Sequence, residues 1–174
     1  DSTQGRPGWK NKSETELNDL RLHYAEMVAK AGDLSCAFNS TVLPTTIDEV
    51  PALMKWAERH IDIVHSMVFI LFRTTRSWDY DYYADGTKVT LDDVVYYDQD
   101  KCKTPLTARD VVGKIRETSP EFEPCAYLGG TTDPRSFKWL LSARLGSPGK
   151  TYGYVGPRAM EATQVAHHAV AGSY

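Results

Sequence analysis

The fold class of this chain is decided by two stretches, residues 34–42 (LSCAFNSTV) and residues 63–72 (IVHSMVFILF). The second stretch is nearly all apolar, which is typical of a strand that is covered on both faces. The first stretch is short, ends in a β-branched residue and lies between Gly32 and Pro44, which are common at strand boundaries. Both stretches are therefore predicted to be largely buried strands.

Helix signals precede each predicted strand. Residues 13–16 have the Ser-x-x-Glu form of a capping box, and Gly32 can end the helix that follows. The apolar spacing predicts a helix from 14 to 30 with one apolar face, formed by Leu17, Leu20, Tyr24, Met27 and Val28. A second capping box at 46–49 predicts a helix that ends near His60. Because parallel strands are joined through crossover helices, this alternation predicts a parallel α/β fold.

The rest of the chain changes character. A complete (β/α) TIM-type barrel takes about 250 residues, so the βα units of residues 1–76 would form only part of one. Residues 77–106 are rich in tyrosine and aspartate with little periodicity, and we interpret them as an insertion. Residues 107–174 are predicted to be a helical extension, with helices at 107–117, from Asp133 through Leu145, and from Pro157 towards Tyr174.

Composition excludes several classes of protein. The 20 basic and 23 acidic residues give a formal net charge of -3, and 41% of the residues are hydrophobic. Such a chain is not disordered, and its charge indicates no nucleic-acid partner. No apolar run reaches the roughly 20 residues that cross a bilayer, so no transmembrane segment is predicted. The three cysteines are too widely spaced for a disulfide framework, which favours a reducing, cytoplasmic location.

Candidate binding residues lie where the two strands end. Ligands of parallel α/β folds bind at the carboxyl ends of the strands, and four residues lie there: Asn39, Thr41, Phe72 and Arg73. Amide and hydroxyl groups can bind a ligand's hydroxyls or carboxylate, and a guanidinium can hold an anion. Alternatively, Asn39 and Thr41 only organise a turn and Arg73 is a solvated charge. Spacing alone does not decide between the two.

Three further features of the sequence bear on the site: the start of the chain, His65 and Cys125. The polar start of the chain looks like the loop after a strand whose body is missing, and because it begins with Asp1 we expect a fragment or a processed product. His65 lies among apolar residues, which favours a structural histidine. Cys125 precedes an apolar stretch, which fits either a buried thiol or a single metal ligand.

Together these residues resemble a known family. The strand at 34–42, the helix at 47–60 and the strand at 61–73 resemble the later βα units of the partial barrel in radical S-adenosylmethionine enzymes. Residues 120–128 (PEFEPCAYL) are similar to the region after the barrel in radical enzymes of the tetraether-lipid and pterin-methylating type. The resemblance implies the C-terminal portion of a partial (β/α) TIM-type barrel with an α-rich C-terminal extension.

The resemblance also implies a site. S-adenosylmethionine would be lined by residues from three segments: Asp1, Thr3, Gln4, Asn39, Thr41, Phe72 and Arg73. Cys125 would be a ligand of an auxiliary iron-sulfur cluster. The family's CxxxCxxC motif, which holds a [4Fe-4S] cluster, would lie upstream of Asp1 in a full-length parent. Neither S-adenosylmethionine nor the [4Fe-4S] cluster is therefore expected on this chain alone.

The implied activity is hydrogen abstraction by a 5'-deoxyadenosyl radical from a small-molecule or lipid-like substrate, with electrons from a reductant protein. This chain would be inactive without the upstream part. The alternative is a non-catalytic α/β module that binds a small molecule or a protein partner.

Overall fold

The structure is a computed structural model that describes residues 7–71, 81–90, 106–129 and 137–172. The helices are α1 (Asn18–Ala31), α2 (Val50–Arg59), α3 (Ala108–Thr118) and α4 (Pro157–Ala171). The strands are β1 (Ala37–Val42), β2 (Ser66–Leu71), β3 (Tyr82–Ala84), β4 (Thr87–Val89), β5 (Ala126–Gly129), β6 (Phe137–Leu141), β7 (Arg144–Ser147) and β8 (Lys150–Tyr154). This mixture of helices and strands confirms the α/β class in its general form.

The first part of the fold is a β-α-β unit. β1 and β2 pair in parallel, in a register that runs from Ala37 opposite Ser66 to Val42 opposite Leu71. α2 follows β1 in the chain and packs against it, with the rings of Trp56 and Phe38 edge to face at a centroid distance of 5.9 Å. The predicted parallel strands are therefore confirmed. Each sheet in the described residues has two strands, so this part of the chain shows no TIM barrel.

Two apolar clusters hold the helices on this unit. One joins β1, α2 and α3 through Val42, Val50, Val111, Ile115 and Phe122. The other joins α1 to α2 and to the starts of both strands through Ala25, Cys36, Trp56 and Val64. A fully buried aliphatic or aromatic side chain contributes about 1.5–3 kcal/mol. Burial therefore gives the main driving force that packs α1 and α3 around the strands.

A buried ion pair ties the segment before α1 to β1. The side chain of Glu14 is 1% exposed, and its Oε2 accepts hydrogen bonds from Arg21 Nη2 at 2.5 Å and from Ser40 Oγ at 2.9 Å. Arg21 also donates to Asn18 Oδ1 at 2.9 Å. Both charges are removed from water, so each depends on the other for compensation.

The first capping box forms as predicted. The backbone N–H of Glu16 donates to Ser13 Oγ at 3.1 Å, and the backbone N–H of Ser13 donates to Glu16 Oε2 at 2.8 Å. Residues 14–17 form a turn, so α1 itself begins later than predicted, at Asn18. The helix ends at Gly32, whose φ of 71° is the positive value that favours glycine at this position.

The second predicted capping box is wrong. Glu49 Oε2 accepts hydrogen bonds from the backbone N–H and the hydroxyl of Thr15, at 2.8 and 2.9 Å. Thr46 Oγ1 accepts from the backbone N–H of Leu43 at 3.0 Å and does not cap a helix. A contact between distant segments therefore replaces the local one, and it joins the start of α2 to the turn before α1.

The predicted helix that ends at Leu145 is wrong where the structure describes it. Residues 137–147 contain β6 and β7, while the proposed cap at residues 133 and 134 lies outside the described residues. The apolar spacing fits a helix, but Pro148 and Gly149 form a tight turn that pairs β7 with β8. The extension is therefore not wholly helical, although α3 and α4 are confirmed.

The region interpreted as an insertion contains regular structure in its described part. Residues 81–90 form an antiparallel hairpin of β3 and β4. Its turn residues, Asp85 and Gly86, have φ values of 49° and 77°. Asp-Gly is a preferred pair in two-residue hairpin turns, because both residues must adopt positive φ. This dipeptide could have predicted the hairpin from the sequence.

Substitution of Glu14 by glutamine is expected to lower the free energy of unfolding by about 3–5 kcal/mol, because it leaves the buried Arg21 charge uncompensated. Urea denaturation followed by circular dichroism measures this loss. The matched control is Asp81→Asn, which breaks the exposed pair with Lys88 and is expected to leave the urea midpoint nearly unchanged. Equal midpoints for the two variants would contradict a structural role for the buried pair.

Thr107→Ala is expected to destabilise the protein by about 1 kcal/mol, because Thr107 and Asp110 form a complete capping box at the start of α3. Thr107→Ser keeps the hydroxyl and serves as the control.

Hydrogen bonds from the hydroxyl and then the backbone N–H of Thr107 lower the pKa of Asp110. Stability from this carboxylate is present above its unfolded pKa and is lost as the pH falls through the lower folded value. The difference between wild type and Thr107→Ala, measured in urea, should therefore shrink below about pH 4.

Candidate functional site

β1 presents different side chains to its two faces. Ser40 and Val42, each 1% exposed, lie on the face that the helices cover. Asn39 and Thr41 alternate with them and lie on the opposite face, where Asn39 is exposed and Thr41 is half-buried. The structure therefore places these two predicted site residues together, on the side of β1 away from the helices.

β2 extends the same surface. Val68 lies opposite Asn39 in the parallel register and Ile70 lies opposite Thr41, and Ile70 is 43% exposed. We define the open face by the residues of both strands on this side: Ala37, Asn39, Thr41, Ser66, Val68 and Ile70. It combines an amide and two hydroxyls with exposed aliphatic surface.

The chemistry of the open face is that of binding. Its amide and hydroxyl groups both donate and accept hydrogen bonds, and its aliphatic side chains can cover the apolar part of a ligand. None of its six residues titrates near neutral pH, so these side chains supply no general acid or base. The open face can therefore position a ligand, and a reactive group would have to come from elsewhere.

His65 has a structural contact where the two strands begin. Its Nδ1 accepts a hydrogen bond from the backbone N–H of Cys36 at 3.0 Å, which places the proton of a neutral imidazole on Nε2. The backbone N–H of His65 donates in return to the carbonyl oxygen of Cys36 at 2.9 Å. His65 is exposed and precedes β2, whereas the sequence indicated a position among apolar strand residues. Burial raises the pKa of the Cys36 thiol, so this thiol stays protonated at neutral pH.

Cys125 is buried at the start of β5. Its thiol donates to the carbonyl oxygen of Leu141 at 3.5 Å, and its backbone N–H donates to the same oxygen at 2.8 Å. Within the described ranges, no group of three or more histidine, cysteine, aspartate or glutamate side chains could hold a metal ion. The auxiliary-cluster role of Cys125 stays a prediction.

The remaining predicted site residues lie outside the described residues: Asp1, Thr3, Gln4, Phe72 and Arg73. Sequence reasoning missed two polar groups that the structure brings together. One is the ion pair of Glu14 with Arg21. The other is formed by Glu58 of α2 and Arg144 of β7, whose charges both act on Tyr154 of β8. Charged residues in amphipathic segments are normally read as solvated, so spacing gave no signal for either group.

Comparison with known proteins assigns no family. No family model matches the chain, and neither a curated protein nor a solved structure matches it. In the part of the chain that the structure describes, every helix is too short or too polar to span a membrane.

His65→Ala is expected to speed hydrogen exchange of the Cys36 amide about fivefold, because this N–H loses its acceptor. His65→Asn retains an acceptor oxygen near the same position and should exchange more slowly than the alanine variant. Amide exchange followed by NMR measures both rates. An unchanged rate in His65→Ala would show that this hydrogen bond does not protect the start of the strands.

Proposed function

We propose that this chain is the C-terminal part of a radical S-adenosylmethionine enzyme, and that the open face lines its cofactor cavity. The observation that carries the proposal is the two-sided character of the parallel pair. Helices cover one face, while Asn39 and Thr41 lie on the other. In a (β/α) barrel the helices lie outside the strands and the opposite face points inward. The open face corresponds to that inner side.

The residues of the open face fit part of S-adenosylmethionine. The Asn39 amide and the Thr41 hydroxyl offer donors and acceptors for ribose hydroxyls or for the methionyl carboxylate. Val68 and Ile70 offer aliphatic surface for the adenine ring. When bound, this cofactor would supply the chemistry of hydrogen abstraction, while the protein orients it and excludes solvent.

The iron-sulfur cluster does not fit the residues present. The cysteines of the chain stand at positions 36, 102 and 125, which is not a CxxxCxxC spacing. The proposal therefore requires a cluster motif outside these 174 residues. Cys125 is a buried thiol that donates to the carbonyl oxygen of Leu141.

The decisive experiment begins with the coding sequence that precedes Asp1. The complete gene product is expressed without oxygen, analysed for iron and sulfide, reduced with dithionite and assayed for cleavage of S-adenosylmethionine. Asn39→Ala is expected to raise the KM for S-adenosylmethionine about tenfold, the equivalent of ~1.4 kcal/mol for lost hydrogen bonding. Gln164→Ala, on the exposed helix α4, is the matched control and should leave KM unchanged.

Two results would contradict the proposal. Absence of CxxxCxxC from the complete gene product, together with absence of iron, would exclude a radical enzyme and favour the non-catalytic binding module. Cleavage with an unchanged KM in Asn39→Ala would retain the enzyme and exclude Asn39 from the cofactor cavity. Thermal unfolding of each variant distinguishes a loss of binding from a loss of folding.

A further inference from the structure

Three polar atoms are buried without a hydrogen-bond partner between α2 and the β7–β8 hairpin. They are Oε1 of Glu58, Nη1 of Arg144 and the hydroxyl of Tyr154. Arg144 and Tyr154 lie directly opposite each other in the antiparallel register. A buried polar atom that loses water and gains no partner destabilises the state in which it is buried. Each of the three atoms therefore makes an unfavourable contribution to the free energy of the closed contact between hairpin and helix.

The hairpin is held together by its own hydrogen bonds. Arg144 Nε donates to Thr151 Oγ1 at 2.8 Å across the two strands. At the open end of the hairpin, the backbone N–H of Val155 donates to the carbonyl oxygen of Ala143 at 2.8 Å. These bonds lie within residues 143–155, so they survive if the hairpin moves as one body.

The bonds between hairpin and α2 are fewer. Among the described residues, the hydrogen bond that joins them runs from the backbone N–H of Gly149 to the carbonyl oxygen of Glu58 at 3.0 Å. The ring of Tyr154 also packs edge to face on Phe122 at 5.3 Å. The Glu58 side chain is 8% exposed, and its Oε2 is paired with Lys55 at 3.2 Å. Movement of the hairpin would give its Oε1 access to water.

In the contact between the hairpin and α2, Tyr154 is a neutral hydrogen-bond donor. Burial, followed by the charges of Glu58 and Glu121, raises the pKa of Tyr154 to about 12. The phenol therefore keeps its proton at neutral pH, and its O–H group has no acceptor in the closed contact. Water would satisfy this donor in an open arrangement.

We propose that the β7–β8 hairpin is a flap that opens from α2 as a unit and exposes Glu58, Arg144 and Tyr154 together. Opening breaks the Gly149–Glu58 hydrogen bond and the ring contact with Phe122, and it hydrates the three unpartnered atoms. The bonds inside the hairpin stay intact. The flap is separate from the open face, because α2 meets β1 through Trp56 and meets the hairpin at Glu58.

Amide hydrogen exchange of the whole chain tests the flap. The Gly149 amide reports separation from α2, while the Val155 amide reports melting of the hairpin itself. Gly149 is expected to exchange at least about tenfold faster than Val155, after correction for intrinsic rates. Tyr154→Phe removes one unsatisfied donor and keeps the ring, so it should slow exchange of Gly149 about fivefold.

Tyr152→Phe is the matched control. Tyr152 lies on the same strand, is exposed and donates to Ser147 Oγ at 3.0 Å, so its loss should leave Gly149 exchange unchanged. Unchanged exchange at Ser40 would show that the core of each variant is intact. Equal rates for Gly149 and Val155, or a Tyr154→Phe variant with unchanged or faster Gly149 exchange, would overturn the proposal.

Discussion

Parallel pairing of β1 with β2 is the constraint on which the rest of the described fold depends. Parallel strands cannot be joined by a tight turn, so the chain must cross back over the sheet. α2 makes this crossing, and the apolar residues on its inner side must then face one side of the pair. That requirement buries Phe38, Ser40 and Val42 to different extents and leaves Asn39 and Thr41 on the other side.

Polar contacts then position the segment before α1. Glu14 bonds to Ser40 of β1, and Thr15 bonds to Glu49 at the start of α2. Apolar packing is non-directional and tolerates sliding, whereas a buried carboxylate needs its partners at defined positions. Arg21 compensates the charge of Glu14 one turn into the helix. These polar contacts therefore fix the position of α1 along β1 and α2, which apolar burial alone would not specify.

The local part of this fold was predictable from the sequence. The capping residues at Ser13 and Thr107, the glycine at the end of α1 and the apolar run of β2 act within a few residues. The errors arose where distant contacts decide: Glu49 bonds to Thr15 rather than capping its own helix. Leu141 and Leu145 fit a helical spacing, but the turn at Pro148 and Gly149 makes cross-strand pairing available. The spacing of apolar residues does not show whether a helix or cross-strand pairing is more stable.

The candidate site was predictable to the extent that strand alternation fixes it. Asn39 and Thr41 share a face because their spacing is two, and exposure of such polar groups to water carries little cost. Glu58, Arg144 and Tyr154 come from separate elements, so no local pattern connects them. Each has a buried polar atom without a hydrogen-bond partner, which is unfavourable. Exposed polar side chains such as Asn39 therefore indicate a surface that can bind a ligand, whereas buried polar atoms without partners, such as the Tyr154 hydroxyl, favour a contact that opens.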